Sequence, residues 1–399
     1  MQTIYLDNAS TSFPKPPEVA TAVYAYLTQL GSNINRGTSS AAAKAAEAVF
    51  DTRQLLCDFF HAEDAKNVVF TKNITEALNV IIKGYLCPGD HVLVSSLEHN
   101  AVMRPLQQIG QELQPATTDS HTITFSRLPV DSDGSLLLSE LPRLVRPNTR
   151  AIIMTHASNV CGTLLPIAEV GEFCHRQGLK FIVDTAQTAG LFPLDMQAMH
   201  IDALAFTGHK GLLGPQGIGG FILREDMVSS VRPLLAGGTG SLSNLEQMPA
   251  FMPDKFEAGT LNLPGIIGLE AGVRWLQQKG MDKLRQHEMQ LTQVFLQGLQ
   301  QLEAVSLLRI IGRRSCDSRT SVISITTDVG DLAAIAYELS ERYGIATRVG
   351  LHCAPSAHKA LGTYPTGTLR FSLGWSNTEQ DVQAALQALE ATLRSHASR

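Results

Sequence analysis

Short apolar runs alternate with longer amphipathic stretches over most of this chain. Val68-Val69-Phe70, the run from His91 to Ser96, Ile123-Thr124-Phe125, Ala151-Ile152-Ile153-Met154, Phe181-Ile182-Val183 and Ala203-Leu204-Ala205-Phe206 have the length and near-continuous apolar character of strands buried on both faces. Between them lie segments with helical spacing, such as ALNVIIKGYL after Asn73 and residues 167–177. Strand and helix in regular alternation predict an α/β architecture, a mostly parallel sheet covered on both sides. Near the start, Ile4-Tyr5-Leu6 reads as extended, Pro14, Pro16 and Pro17 as a turn, and about 18–30 as a helix. GIGGFILRE, after Gly214, predicts a further strand whose glycines admit close backbone approach. Residues 235–263 are too long and too rich in Gly and Pro for a plain connection, and a functional or interfacial loop is expected there. A helical stretch from about 266 to 302 then breaks near Gly280. It leads to SVISITT, LAAIAYELSERY, GIATRV, TLRFSLG and a last helix, a smaller α+β pattern.

Composition narrows the function classes. With 399 residues, 44% of them hydrophobic and 17% charged, the chain can build a sizeable core and is long enough for two or three domains. A formal net charge of −5 gives no basic footprint, so nucleic acid is not an expected partner. No stretch approaches the ~20 uninterrupted apolar residues of a membrane span, and the first residues lack the pattern of a secretion signal. The six cysteines, Cys57, Cys87, Cys161, Cys174, Cys316 and Cys353, are scattered without CxxC spacing. Neither a metal cluster nor a disulfide framework is expected, and a reducing cytoplasm fits best.

The candidate chemistry sits at the ends of the apolar runs. FIVD ends in Asp184, with Gln187 three residues on, and ALAF leads into Thr207-Gly208-His209-Lys210 between glycines. Ligands of open α/β sheets bind beyond the carboxyl ends of the strands, so a carboxylate and a lysine ending nearby strands face one site. That pairing suits pyridoxal phosphate, whose carbonyl takes a lysine as a Schiff base and whose ring nitrogen takes a carboxylate. The strand from His91 delivers His99, an imidazole able to lie on a cofactor ring or move protons, and the strand from Ala151 delivers Asn159. Asn73-Ile74-Thr75-Glu76 opens a helix, which is either an anion site or a plain cap. The loop with Asn35 and Arg36 could approach a ligand or a neighbouring subunit. In the C-terminal part, Arg370 lies inside an apolar strand and suits a carboxylate ligand, and Arg348 ends another strand. Cys353, beside His352 on a polar loop, has the setting of a thiolate nucleophile, whereas Cys57 and Cys174 sit in apolar helical patterns and read as packing residues.

Taken together, YLDNAS, NINRGTSS, NITEALN, LEHNA, SNVCGTLLPI, VDTAQTAG, TGHKGLLGPQGIG, FEAGTLNLPGI, RVGLHCAP and LRFSLGWSNT resemble the class V aminotransferase family of pyridoxal phosphate enzymes over nearly the whole chain. Within it the short RxGxHCA loop is similar to that of cysteine desulfurases and selenocysteine lyases. The resemblance implies fold type I, with a large domain built on a mostly parallel, seven-stranded-type sheet plus a smaller α+β domain. Residues 1–15 would pack with the small domain, 16–262 would form the large cofactor domain, and 263–399 the linking helix and small domain. It implies pyridoxal 5′-phosphate as cofactor, with Lys210 as the Schiff-base lysine, Asp184 on the ring nitrogen and His99 stacked on the ring. Asn159 and Gln187 would meet the ring's phenolic side. Ile74, Thr75, Thr207 and His209 would hold the phosphate, with Thr260 reaching the phosphate of a neighbouring subunit in a homodimer with shared active sites. Arg370 would bind the substrate carboxylate with Arg348 and Asn35 nearby, and Cys353 would take sulfur from L-cysteine as a persulfide for a sulfur-acceptor protein. No metal is expected. Leu351 stands where a second His often precedes His-Cys, and Thr207 replaces a commoner Ser. L-selenocysteine is the alternative substrate, and a C–S lyase or aminotransferase of the same family the alternative reaction.

Overall fold

In the computed structural model, which describes residues 3–34, 39–112 and 122–398, the apolar runs of the first half of the chain become one sheet. In chain order the strands are β1 (Ile4–Tyr5), which stands outside this sheet, then β2 (Val68–Thr71), β3 (His91–Ser95), β4 (Gly110–Glu112), β5 (Ile123–Leu128), β6 (Thr149–Thr155), β7 (Lys180–Asp184), β8 (Ala203–Thr207) and β9 (Gly219–Leu223). Their order across the sheet is β2-β9-β8-β7-β6-β3-β5-β4. Neighbours from β8 to β4 run parallel, and β9 is antiparallel to both β8 and β2. Among the described residues the sheet thus has eight strands, not the seven expected. The edge strand β4 is a three-residue GQE directly after the helix Asn100–Ile109, and it carries no apolar run that could mark it in the sequence.

Alternation along the strands feeds two cores. Leu93, Ile152, Met154, Phe181, Val183, Leu204 and Phe206 face one, packed by the helices Ser40–Phe59, Ile167–Gln177 and Leu263–Lys279. Val92, Val94, Ala151, Ile153, Ile182, Ala203 and Ala205 face the other, under Ile74–Tyr85 and Asn100–Ile109. With every residue of β3, β8 and β9 buried, and each fully buried Val, Leu, Ile or Phe side chain stabilising by roughly 1.5–3 kcal/mol, the strand ends are held by a stiff platform. The glycines of GIGGF act as expected. A Cβ on Gly219 would stand 2.9 Å from the Asn73 backbone, so only glycine lets the start of the Ile74–Tyr85 helix approach β9 this closely.

The expected helix at 18–30 is an α-helix only over Pro17–Ala25, and Tyr26–Leu30 continues as a π-turn that Gly31 closes at φ +53°. After the long loop, Leu263–Lys279 and Met281–Ala304 form the two expected helices, broken at Gly280. They lead to β10 (Arg309–Ile311), β11 (Val322–Thr326), β12 (Ile345–Ala346), β13 (Arg348–Gly350) and β14 (Thr368–Ser372). An antiparallel sheet of order β10-β11-β14-β13 packs on Leu332–Tyr343 and Glu379–Ala397 around a separate core that includes Leu6. β12 pairs in parallel with β1, which ties the first residues of the chain to its last quarter.

Candidate active site

The parallel strands β3, β6, β7 and β8 end along one edge of the sheet, and the residues that follow those ends converge there. β7 closes with Asp184, and β8 pairs beside it, Asp184 opposite Ala205, so that Lys210 comes three residues past the neighbouring strand end. Asp184 is buried, with Oδ1 accepting the Ala186 amide at 2.8 Å. Burial raises its carboxyl above the ordinary carboxylate range, opposed by that amide and by Lys210. Burial lowers the Lys210 ammonium to about 8, partly offset by Asp184 and reinforced by Arg370. A lysine in this state has an amine fraction at neutral pH that a surface lysine lacks.

β3 delivers His99, which caps the helix Asn100–Ile109: its Nδ1 accepts the Ala101 amide at 3.0 Å. The bond puts the imidazole proton on Nε2. Burial, then Lys210, Arg104 and Arg370, lower its pKa to about 4, so the ring is neutral. Beneath it, Glu98 is wholly enclosed and accepts the Thr155 amide at 2.9 Å through Oε1 and the Ser95 hydroxyl. Burial raises its carboxyl to about 8. Nothing in the local pattern marks this burial, since glutamate is almost always solvated.

Among the described residues, Thr207 Oγ1 and His209 Nδ1 are buried without a hydrogen-bond partner. Buried polar atoms without partners carry a desolvation cost of about 1–3 kcal/mol, and two of them beside a lysine await an acceptor-rich group. The start of Ile74–Tyr85, where Ile74 is buried and Thr75 exposed, adds free helix amides. This donor set fits a phosphate, and Asp184, neutral His99 and Lys210 fit the pyridine ring and carbonyl expected of the cofactor.

The C-terminal part supplies the other side. Arg370, on β14, is 2% exposed and donates through Nη1 to the Asn159 carbonyl at 3.0 Å and through Nη2 to Asp7 Oδ1 at 2.9 Å. Arg348, on β13, is half exposed and also meets Asp7, Nη2 to Oδ2 at 2.9 Å. Asn159 donates to the His352 carbonyl at 2.7 Å, and Gln187 to Ala9 at 3.2 Å. Cys353 is exposed, while its carbonyl accepts the Asn100 amide at 2.8 Å, which docks the cysteine loop beside His99. His352 and Cys353 both have left-handed backbone, φ +47° and +56°, a conformation that costs side-chain-bearing residues about 1–2 kcal/mol each. His352 itself is buried with Nε2 2.9 Å from Thr368 Oγ1, and burial pushes its pKa down to about 2. Cys57 and Cys174 are buried with thiols pushed up, Cys57 to about 11, as befits packing residues.

Lys210, Asp184, His99, Asn159, Arg370 and Arg348 are thus linked by contacts or charge coupling, Gln187 lines one pocket with Lys210, and the Thr207 and His209 atoms lie on the same strand-end segment. Thr260 stands elsewhere, exposed beside Thr71, Lys72 and Glu76. Asn35 lies outside the described residues. Asp7 is the functional candidate that sequence reading missed, although Ile4-Tyr5-Leu6-Asp7 carries the signature that marked Asp184, an apolar run ending in a carboxylate.

The family model described as Aminotransferase class-V matches residues 4–385. The chain is 31% identical over 98% of its length, and 93% of the relative's, to a probable cysteine desulfurase of Halalkalibacterium halodurans. It is 32% identical to one of Halobacterium salinarum, covering 97% of this chain and 91% of that one. Among solved structures, an apo cysteine desulfurase from Thermococcus onnurineus superposes with a TM-score of 0.89 at 29% identity, over 98% of this chain and 95% of that one. A cysteine desulfurase from Escherichia coli in an S-sulfonic acid form gives 0.84 at 29% identity, with the same coverage.

Proposed function

We propose that this chain, which belongs to the class V aminotransferase family, is a pyridoxal 5′-phosphate-dependent cysteine desulfurase that converts L-cysteine to L-alanine and takes the sulfur onto Cys353. The observation that carries the choice of reaction is the Cys353 loop: an exposed thiol on strained left-handed backbone, docked by its own carbonyl onto Asn100, the residue after His99. A family member that only moved amino groups would have no use for a cysteine held there at that cost.

Bound pyridoxal phosphate supplies an electron-withdrawing ring that stabilises charge at the Cα of an amino acid. Asp184, enclosed at the strand end, would hold the proton of the ring nitrogen. Thr207 Oγ1, His209 Nδ1 and the amides of Ile74 and Thr75 would hold the phosphate, neutral His99 would pack on the ring, and Gln187 and Asn159 would flank its phenolic side. Lys210 Nζ, with pKa near 8, takes and returns the Cα proton. Arg370 orients the α-carboxylate. The Cys353 thiolate attacks the substrate sulfur; the Cβ–S bond breaks as the S–S bond forms, the carbon keeps the electron pair and is protonated, and the products are alanine and a persulfide on Cys353. The proposal includes a homodimer in which Thr260 completes the partner's phosphate site, and a protein that accepts the persulfide sulfur.

Product analysis tests the reading. Cofactor-loaded protein incubated with L-cysteine and a thiol reductant should release alanine and sulfide in equal amounts. Alanine from L-selenocysteine without alanine from L-cysteine would move the assignment to selenocysteine lyase, and alanine from neither would discard it.

A further inference from the structure

His209 and Lys210 stand between Gly208 and Gly211, in a turn where the Lys210 carbonyl accepts the Leu213 amide at 2.9 Å. Glycines add no side-chain packing to a turn, which leaves its position to backbone contacts. Three of these come from the N-terminal segment and meet on one atom. The His209 carbonyl accepts the Ser12 amide at 3.0 Å, the Thr11 hydroxyl at 3.1 Å and the Lys15 ammonium at 2.7 Å, one donor more than it has lone pairs. The Ser12 hydroxyl reaches the Lys210 carbonyl at 2.9 Å and accepts a second bond from Lys15 Nζ at 2.7 Å. Lys15 is partly buried, and among the described residues its ammonium meets these two oxygens and no carboxylate. Burial lowers its pKa to about 8, so it is charged at neutral pH. Burial, then the charges of Lys210 and Lys15, hold His209 neutral with a pKa of about 4. An ammonium desolvated against neutral oxygens is costly, and a neutral donor would reach the same carbonyl without that cost. What the charge adds is strength, since charge-assisted hydrogen bonds are roughly twice as strong as neutral ones.

We propose that Lys15 is a positioning residue for Lys210: its charged hydrogen bond to the His209 carbonyl keeps the lysine turn in place while Lys210 is detached from the cofactor, so that Nζ returns to the same atom. The inference rests on the reading of Lys210 as the lysine that links to pyridoxal phosphate. While linked, the turn is held at its tip by a covalent bond. Once an amino acid has displaced the lysine, only the backbone contacts remain, and a misplacement of about 1 Å can cost about 100-fold in rate. Lys15 touches neither substrate nor cofactor in this scheme and acts through the backbone alone.

Rapid mixing of the cofactor-loaded protein with L-alanine at several concentrations tests this without any sulfur chemistry. The relaxation rate of the lysine-linked absorbance rises with amino-acid concentration, and its intercept at zero concentration is the rate at which Lys210 returns. That intercept should fall about tenfold in Lys15→Met and in Lys15→Gln, which keeps a donor but no charge, and should be restored to within about twofold by Lys15→Arg. An unchanged intercept in Lys15→Met, one that Lys15→Gln restores as fully as Lys15→Arg, or one that Lys15→Arg leaves low overturns the proposal. Should Lys15→Met fail to fold, the comparison of Lys15→Gln with Lys15→Arg decides. Absence of alanine from L-cysteine in the unsubstituted protein would refute the desulfurase reading and leave this test intact. Absence of any lysine-linked absorbance would refute the reading of Lys210, and the proposal with it.

Discussion

The lysine centre and the cysteine loop both meet the His99–Asn100 segment and are built in opposite ways. Asp184 and Lys210 follow the ends of adjacent parallel strands that are buried on both faces, and His99 is fixed as the cap of a helix. Cys353 is the exposed residue of a turn in the smaller part, on backbone that a side chain disfavours, its carbonyl bonded to Asn100 and the preceding His352 held by Asn159 and Thr368. A cofactor has to be held at fixed angles to the bond it weakens, which calls for a stiff platform with no water. On the proposed reading a sulfur carrier has to meet both the substrate and an outside acceptor, which calls for a reachable atom, and Cys353 is exposed between the buried His352 and Ala354.

The largest expected effect separates the two regions. Lys210→Ala should remove turnover of every amino acid, by about 10³-fold or more, together with the visible absorbance of the lysine-linked cofactor. Cys353→Ser should remove sulfide release from L-cysteine to a similar degree yet leave that absorbance intact. A Cys353→Ser variant with undiminished desulfurase turnover would mean that the loop has no chemical part and that the two regions are not complementary.

A smaller effect concerns the platform beneath His99. Glu98 has its carboxyl raised to about 8 from 4.5 by burial, so the folded protein holds a proton that the unfolded chain gives up between those values. Its contribution to stability is full below pH 4.5 and is lost as pH rises through about 8. Glu98→Gln should therefore gain on the unsubstituted protein by a few kcal/mol on going from pH 5 to pH 8.5, measured by urea unfolding. Glu288, raised to about 8 by burial as well, leaves a residual slope in the variant. An unchanged difference at the two pH values would show Glu98 to be ionised in the fold.

The smallest prediction concerns the loop alone. At φ +56° Cys353 occupies a conformation suited to glycine, so Cys353→Gly should be more stable than Cys353→Ala by about 1 kcal/mol in urea unfolding. Equal stabilities would mean that the loop relaxes freely and stores no strain.

How much of this was legible in the sequence follows the same division. Asp184 ends a buried apolar run and Lys210, His99 and Asn159 each follow one within four residues, and the parallel sheet itself brings such ends together, so local pattern was enough to group them. The strand β4 was missed because three polar edge residues carry no periodicity. Asp7 was missed for a different reason: its partners lie 341 and 363 residues away, and only the pairing of the N-terminal segment with β12 and with Ser372 of β14 decides which arginines it meets. The enclosure of Glu98 could not be read either, because burial of a charge depends on what packs over it and not on its neighbours in the chain.

That long-range pairing also orders events during synthesis. All eight strands of the large sheet have been made once residue 223 exists, so the platform for the cofactor can assemble while the rest of the chain is still unmade. Ile4 has no strand to join until Ile345 emerges, and Asp7 has no Arg370 until residue 370 has been made. Asp7 and Arg370 are separated by 363 residues, so this ion pair forms only after the platform strands are complete. A chain that stops short of β13 and β14 therefore has every strand of the platform but neither Arg348 nor Arg370.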